Sequence, residues 1–270
     1  MKLNRWWPFP RRPMVPLVRL SGVIGNLPGR GGMTLSSVNG ILESAFGNKH
    51  ADTVAIVVNS PGGSPTQSAL IGEKIRSLAE RKCKRVLTFA EDVAASGGYW
   101  LLCTGDEVFA HRCSIVGSIG VVSAGFGFVD AIAKLGIERR VRTKGERKAM
   151  LDPFRPQTPE DLQLLDEIQG DIHRAFIDHV RERRRGKLLG QDEEVFSGRV
   201  WLGERGKALG LIDELGTPES VLRQRFGGKV RIRTYGQRRS WLQRRLGIDH
   251  LAHQALAVVE ERIAFGRYGL

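Results

Sequence analysis

The sequence predicts a layered α/β domain, because short β-branched runs alternate with segments of helical periodicity and the two are joined by glycine-rich loops. Residues 15–24 and the run TVAIVVN at 53–59 are rich in β-branched side chains and are followed by glycine or by a proline-containing turn, as buried strands are. After the loop SPGGS, residues 67–82 place Ala69, Leu70, Ile75 and Leu78 near helical spacing, and 86–89 reads as the next strand. The alternation is expected to continue through 97–103, 107–110, 118–123 and the helix-like 129–135.

Thr158-Pro159-Glu160-Asp161 is a helix start, with a capping hydroxyl, proline in the first turn and early acids. Leu162, Leu165, Ile168, Ile172, Phe176 and Val180 keep one apolar face on the helix that follows. It runs out in RERRRG, where cations suit a carboxyl end and read as capping and solubility. Residues 241–265 form another helical stretch, and Leu251, Ala255, Val258 and Ile263 give it a face for the core, a second subunit or a membrane surface.

Composition narrows the function classes. A chain of 270 residues with 41% apolar and 26% charged side chains can bury a substantial core. The opening MKLNRWWPFPRRPMVP reads as neither signal peptide nor membrane span, since Pro8, Pro10, Pro13 and Pro16 forbid a continuous helix. Cys83, Cys103 and Cys113 are odd in number and match no zinc spacing. Neither a disulfide framework nor a metal site is therefore expected, and a reducing cytoplasm suits the chain. The net charge of +13 is concentrated at the ends: six cations precede the first acid, Glu43, and 223–245 holds nine basic residues and no acidic one. Such charge would attract nucleic acid, anionic lipid or an acidic partner. Nucleic acid is disfavoured because no nucleic-acid motif accompanies the charge. Trp6 and Trp7 beside these cations would suit peripheral contact with an anionic membrane.

Chemistry enters with two loops. Asn59-Ser60-Pro61-Gly62-Gly63-Ser64 lies between a strand and a helix, where backbone N–H groups are exposed and glycine admits close approach. It lacks the lysine and hydroxyl of a phosphate-binding loop. In Glu91-Asp92-Val93-Ala94-Ala95-Ser96-Gly97-Gly98-Tyr99, small residues flank a serine at a strand-to-helix junction. There the hydroxyl feels the positive end of the helix dipole, and the N–H groups of Gly97 and Gly63 could hold a developing oxyanion. Read alone, such a serine is more often a helix cap than a nucleophile, and it needs a base. No histidine stands in a triad motif, which leaves lysine. Bringing a lysine from about 10.4 to about 7 requires roughly 4 to 5 kcal/mol, which burial of the amine supplies.

Five segments, NSPGGS, DVAASGGYW, VGSIGV, KGERKAMLDPFRPQTPED and FSGRVWLGERGKALGLIDELG, resemble in order and spacing the signal-peptide-peptidase A family of serine–lysine peptidases. The resemblance covers about 15–222. It sets a basic, proline-containing arm at 1–14 and a basic extension with a helix at 223–270 outside the peptidase domain. It implies Ser96 as nucleophile and Lys148 as general base, with Ser118 holding the lysine; the bland reading of Ser118 is a turn serine. Lys144 precedes Gly145 and is the decoy. The resemblance also implies the Clp protease and crotonase fold of repeated ββα units with a spiral sheet, no cofactor, ring-shaped homo-oligomers, and short apolar peptides such as signal-peptide remnants as substrates. The competing classes are an acyl-CoA enzyme on the same fold, which also uses paired N–H groups, and a non-catalytic adaptor that binds membrane or nucleic acid through its basic tail.

Overall fold

The computed structural model describes residues 13–26, 32–145, 147–236, 265, 266 and 268. In chain order the elements are β1 (Met14–Ser21), α1 (Leu35–Phe46), β2 (Thr53–Ser60), α2 (Pro65–Arg81), β3 (Arg85–Ala95), α3 (Gly97–Leu102), β4 (Glu107–Ala110) and β5 (Ile115–Gly117). They continue with α4 (Val129–Lys134), α5 (Pro159–Arg183), α6 (Asp192–Val195), β6 (Val200–Leu202), α7 (Gly203–Ala208), β7 (Glu214–Leu215), α8 (Pro218–Phe226) and β8 (Arg231–Tyr235). Trp6, Trp7, residues 237–245 and most of the helix expected over 241–265 lie outside the described residues.

Among the described residues eight strands join one sheet, in the order β6-β5-β3-β2-β1-β8 with β4 between β3 and β7, and only the β5–β6 pairing is antiparallel. This is the α/β architecture that the sequence predicts. Because side chains alternate along a strand, each central strand feeds two cores. Val18, Leu20, Val54, Ile56 and Val58 pack under α1, α2 and α3, whereas Val15, Leu17, Ala55, Val57, Leu87 and Phe89 meet Val221 and Leu222 of α8 on the opposite face. Residue 222, where the family resemblance ends, falls inside α8, and beyond it β8 pairs with β1 from Met14↔Arg231 to Val18↔Tyr235. The strand expected at 118–123 is not formed. The extended run is instead 115–117, and it ends where Ser118 adopts φ 53° and turns the chain.

Helix α5 buries only Phe176 and Val180 along its 25 residues, and polar contacts at its carboxyl end complete the docking. The His179 ring stacks on Trp100 with centroids 4.5 Å apart, and its Nε2 lies 3.1 Å from the Trp100 carbonyl oxygen. Arg183 donates to the carbonyls of Cys103, Thr104 and Gly105, which satisfies the end of α3. Arg184 is 1% exposed, donates twice to Gly210 O and pairs with Asp213 at 2.8 Å. Reading RERRRG as capping and solubility is therefore corrected for Arg183 and Arg184, which are internal anchors. The periodicity that defines an apolar face says nothing about arginines that turn inward at its end.

Without Arg184 the buried Gly210 carbonyl loses both its guanidinium donors, while Asp213 keeps Lys187 and the Val108 N–H, each at 2.8 Å. Arg184→Ala is expected to lower stability by about 1–3 kcal/mol in denaturant unfolding. For His179, burial pushes the imidazole pKa down to about 4 from its ordinary 6.5, the Trp100 carbonyl opposing this only in part. Between these values the unfolded chain takes up a proton that the folded chain refuses, so stability falls as pH drops below 6.5 and levels off near 4. The loss is on the order of 3 kcal/mol. Thermal melts of His179→Phe across that window are expected to show a shallower acid dependence than the wild type.

Candidate active site

Strand β3 is not regular. Its first half pairs with β4 and its second half with β5, and along β2 the register jumps from Val58↔Ala90 to Ser60↔Ala94. Asn59 bridges the irregularity: its Nδ2 donates to Asp92 Oδ2 at 2.9 Å, and its Oδ1 accepts from Val93 N–H at 3.2 Å. From the other side the Ser114 hydroxyl donates to the carbonyls of Ala90 and Glu91. The second half of β3 is thereby directed to Ser96 at the foot of α3.

Ser96 has φ 52° and ψ −125°, a conformation that costs a non-glycine residue about 1–3 kcal/mol. Its N–H donates to Gly117 O at 2.9 Å. Although Ser96 occupies the N-cap position of α3, its side chain makes no capping bond, so capping does not account for the hydroxyl. A strained serine on a tight strand-to-helix turn presents its Oγ outward, as nucleophilic serines on such turns do.

The loop after β2 lies against this serine. A Cβ at Gly62 would stand 2.7 Å from Ser96 Cβ and 3.0 Å from Gly97 N, and φ there is +109°, so only glycine fits. The loop is fixed by Ile24, whose N–H donates to Gly62 O and whose carbonyl accepts from Ser64 N–H, both at 2.8 Å. The N–H groups of Gly63 and Gly97 make no hydrogen bond among the described residues. Both glycines and Ser96 line one cavity of about 380 Å³. Its other walls include Pro61, Trp100, Ser118, Ile172, Phe176 and Tyr268. Ser118, at φ 53°, is held by its N–H donating to Arg199 O at 2.7 Å and directly follows Gly117, the acceptor of Ser96 N–H. Of the five sequence candidates the fold therefore brings together Ser96, Gly63, Gly97 and Ser118.

Lys148 is not among them. It sits in an exposed turn with its N–H donating to Gly145 O at 3.2 Å, and it does not line the cavity. Lys144 is exposed as well.

Four residues near the site went unmarked by the sequence patterns. Asn59 stands in NSPGGS, but nothing in the spacing says that it stitches a bulge. Trp100 closes DVAASGGYW and lines the cavity one helical turn beyond Ser96. His173 and His179 flank Phe176 at intervals of three on α5, a helical-face signal lost when only apolar residues are counted. His173 Nε2 lies 3.2 Å from Ile119 O, beside Ser118, and neither histidine lines the cavity.

Comparison with known proteins gives the family. Residues 79–226 match the family model described as Peptidase family S49. Over 95% of its length the chain is 48% identical to a Brucella abortus protein named Na(+)/H(+) antiporter NhaA. It is 32% identical over 65% of its length to the Arabidopsis thaliana protein named Serine protease SPPA, chloroplastic, and 32% identical over 66% to Protease 4 of Haemophilus influenzae. The chain spans 37%, 26% and 28% of the lengths of these three proteins. With more than half of its residues under that family model, and with a serine and two free glycine N–H groups gathered in one cavity, the chain belongs to peptidase family S49.

Proposed function

We propose that the chain is a serine peptidase in which Ser96 attacks the carbonyl of short, extended apolar peptides such as signal-peptide remnants. The observation that carries this reading is the strained Ser96, its hydroxyl free of any capping role, in a cavity with two unpartnered N–H groups. The N–H groups of Gly63 and Gly97 stabilise the oxyanion of the tetrahedral intermediate, a contribution worth about 3–4 kcal/mol per donor in such sites. Lys148 takes the Ser96 proton and returns it to the leaving amine, Ser118 orients the lysine, and water then hydrolyses the acyl-enzyme.

In this reading Lys148 serves the Ser96 of a neighbouring copy in a homo-oligomeric ring. It stands exposed and does not line the cavity of its own chain, and nearby in sequence Phe126 is 82% and Leu135 73% exposed. A second copy laid on this region would remove that apolar surface from water and bury the amine, which is what lowers a lysine pKa. The acyl-CoA alternative uses the same paired N–H groups, but membership of a peptidase family favours peptide hydrolysis. No transport function is carried over from the Brucella protein, of which the match covers 37%.

A serine-directed acylating probe followed by peptide mapping is expected to mark Ser96 in the wild type, with no labelling in Ser96→Ala. Mapping to another residue would reject the assignment. Lys148→Arg is expected to be as damaging as Lys148→Ala, at least about 10²-fold in kcat/KM, because a guanidinium stays protonated, whereas Lys144→Ala is mild. Co-assembly of inactive Ser96→Ala chains with inactive Lys148→Ala chains is expected to restore turnover, and continued inactivity would place the pair within one chain.

A further inference from the structure

Trp100 lies one helical turn beyond Ser96 and lines its cavity, whereas the adjacent Tyr99 does not, and the Trp100 N–H donates to the Ser96 carbonyl at 3.0 Å. Its indole is confined on three sides. One face stacks on His179 with an interplanar angle of 9°, and Phe176 packs against it with centroids 5.1 Å apart. Its pyrrole edge faces α2, where a Cβ at Gly72 would stand 3.4 Å from both Cδ1 and Nε1. What remains of the ring forms a wall of the cavity that contains Ser96. Packed between α2 and α5, the indole is restrained from moving aside for a bulky group.

We propose that Trp100 sets the size limit for the substrate side chain that packs beside Ser96, and that His179 is the positioning residue that keeps its indole in place. The proposal rests on Ser96 being the nucleophile of a peptidase. Aliphatic side chains of leucine size are then favoured over aromatic ones, since the indole takes up room beside Ser96 that a substrate ring would use. His179 acts through the tryptophan alone. Its ring lies on the indole face and its Nε2–H donates to the Trp100 carbonyl, so one side chain fixes both the ring and the backbone of the same residue. Burial keeps the imidazole neutral above about pH 4, so that this donor and the stack persist across the working range.

The test uses the full chain and two sets of matched peptide ester substrates, alike except for leucine or phenylalanine at the residue that supplies the scissile carbonyl. The readout is the leucine-to-phenylalanine ratio of kcat/KM, which cancels losses common to both substrates. Trp100→Ala is expected to shift that ratio towards phenylalanine by about tenfold or more, the scale on which side-chain pockets discriminate. His179→Ala is expected to shift it the same way by a smaller factor, through KM more than kcat, and His179→Phe, which restores a stacked ring, is expected to return it towards the wild-type value. An acylating probe without a side chain runs in parallel as a check on Ser96. If Ser96 of Trp100→Ala and His179→Ala is acylated normally and the ratio stays at the wild-type value, the size-limit proposal is overturned. If the wild type is not acylated at Ser96, the peptidase reading itself fails, and the proposal with it. Should Trp100→Ala not fold, His179→Ala and Trp100→Phe carry the same ratio test.

Discussion

Between the rungs Val58↔Ala90 and Ser60↔Ala94, β2 advances by two residues while β3 advances by four, and the candidate site depends on that mismatch. Two extra residues in one strand bend it and increase its local twist. The bend lets one strand begin beside β4 and finish beside β5, so that its end emerges under the Pro61–Gly63 loop rather than beside β4. The Asn59 amide makes this affordable by satisfying Val93 N–H and tying down Asp92. Each such bond contributes only about 1 kcal/mol, yet an unsatisfied buried N–H would cost about 1–3 kcal/mol, so the stitch decides whether the bulge is tolerated. The strain at Ser96 is similar in size and is carried by the packed sheet and α3 around it.

The same sheet separates what is rigid from what is open. Ser96, the glycine loop and Ser118 are each fixed by backbone bonds to neighbouring elements, and α5 is pinned at its carboxyl end by His179, Arg183 and Arg184. The amino-terminal half of α5 and the stretch from Val122 to Val141 present apolar side chains to solvent, with Leu162 and Ile168 uncovered as well. In the reading proposed above, this open region is where a second copy completes the site with Lys148. The rigid half would then supply the nucleophile and oxyanion donors, and assembly would supply the base.

Much of this was legible in the sequence because local chemistry marks it. The β-branched runs, the capping hydroxyl at Thr158 and the glycines of the 59–64 loop all leave local signatures, whereas α1 with its Thr34 cap went unread. What was not legible depends on pairings distant in sequence. The strand expected at 118–123 is not formed because Ser118 turns the chain at φ 53°, and the Arg199 carbonyl that receives its N–H lies about eighty residues on, where strand propensity does not see it. Arg184 looked like a solubilising end residue because its partners, Gly210 and Asp213, lie on a later loop. Lys148 could be chosen by resemblance, but the spacing within one chain does not say which serine it faces.

The central claim is that the displaced end of β3 holds Ser96 between two glycine N–H groups prepared for an oxyanion. A crystal structure of the assembled protein acylated by a serine-directed probe tests it most directly. The account predicts the acyl group on Ser96 Oγ, with its carbonyl oxygen about 2.7–3.1 Å from the N–H groups of both Gly63 and Gly97. An acyl group on a different side chain, or a carbonyl oxygen turned away from both glycines, would contradict it.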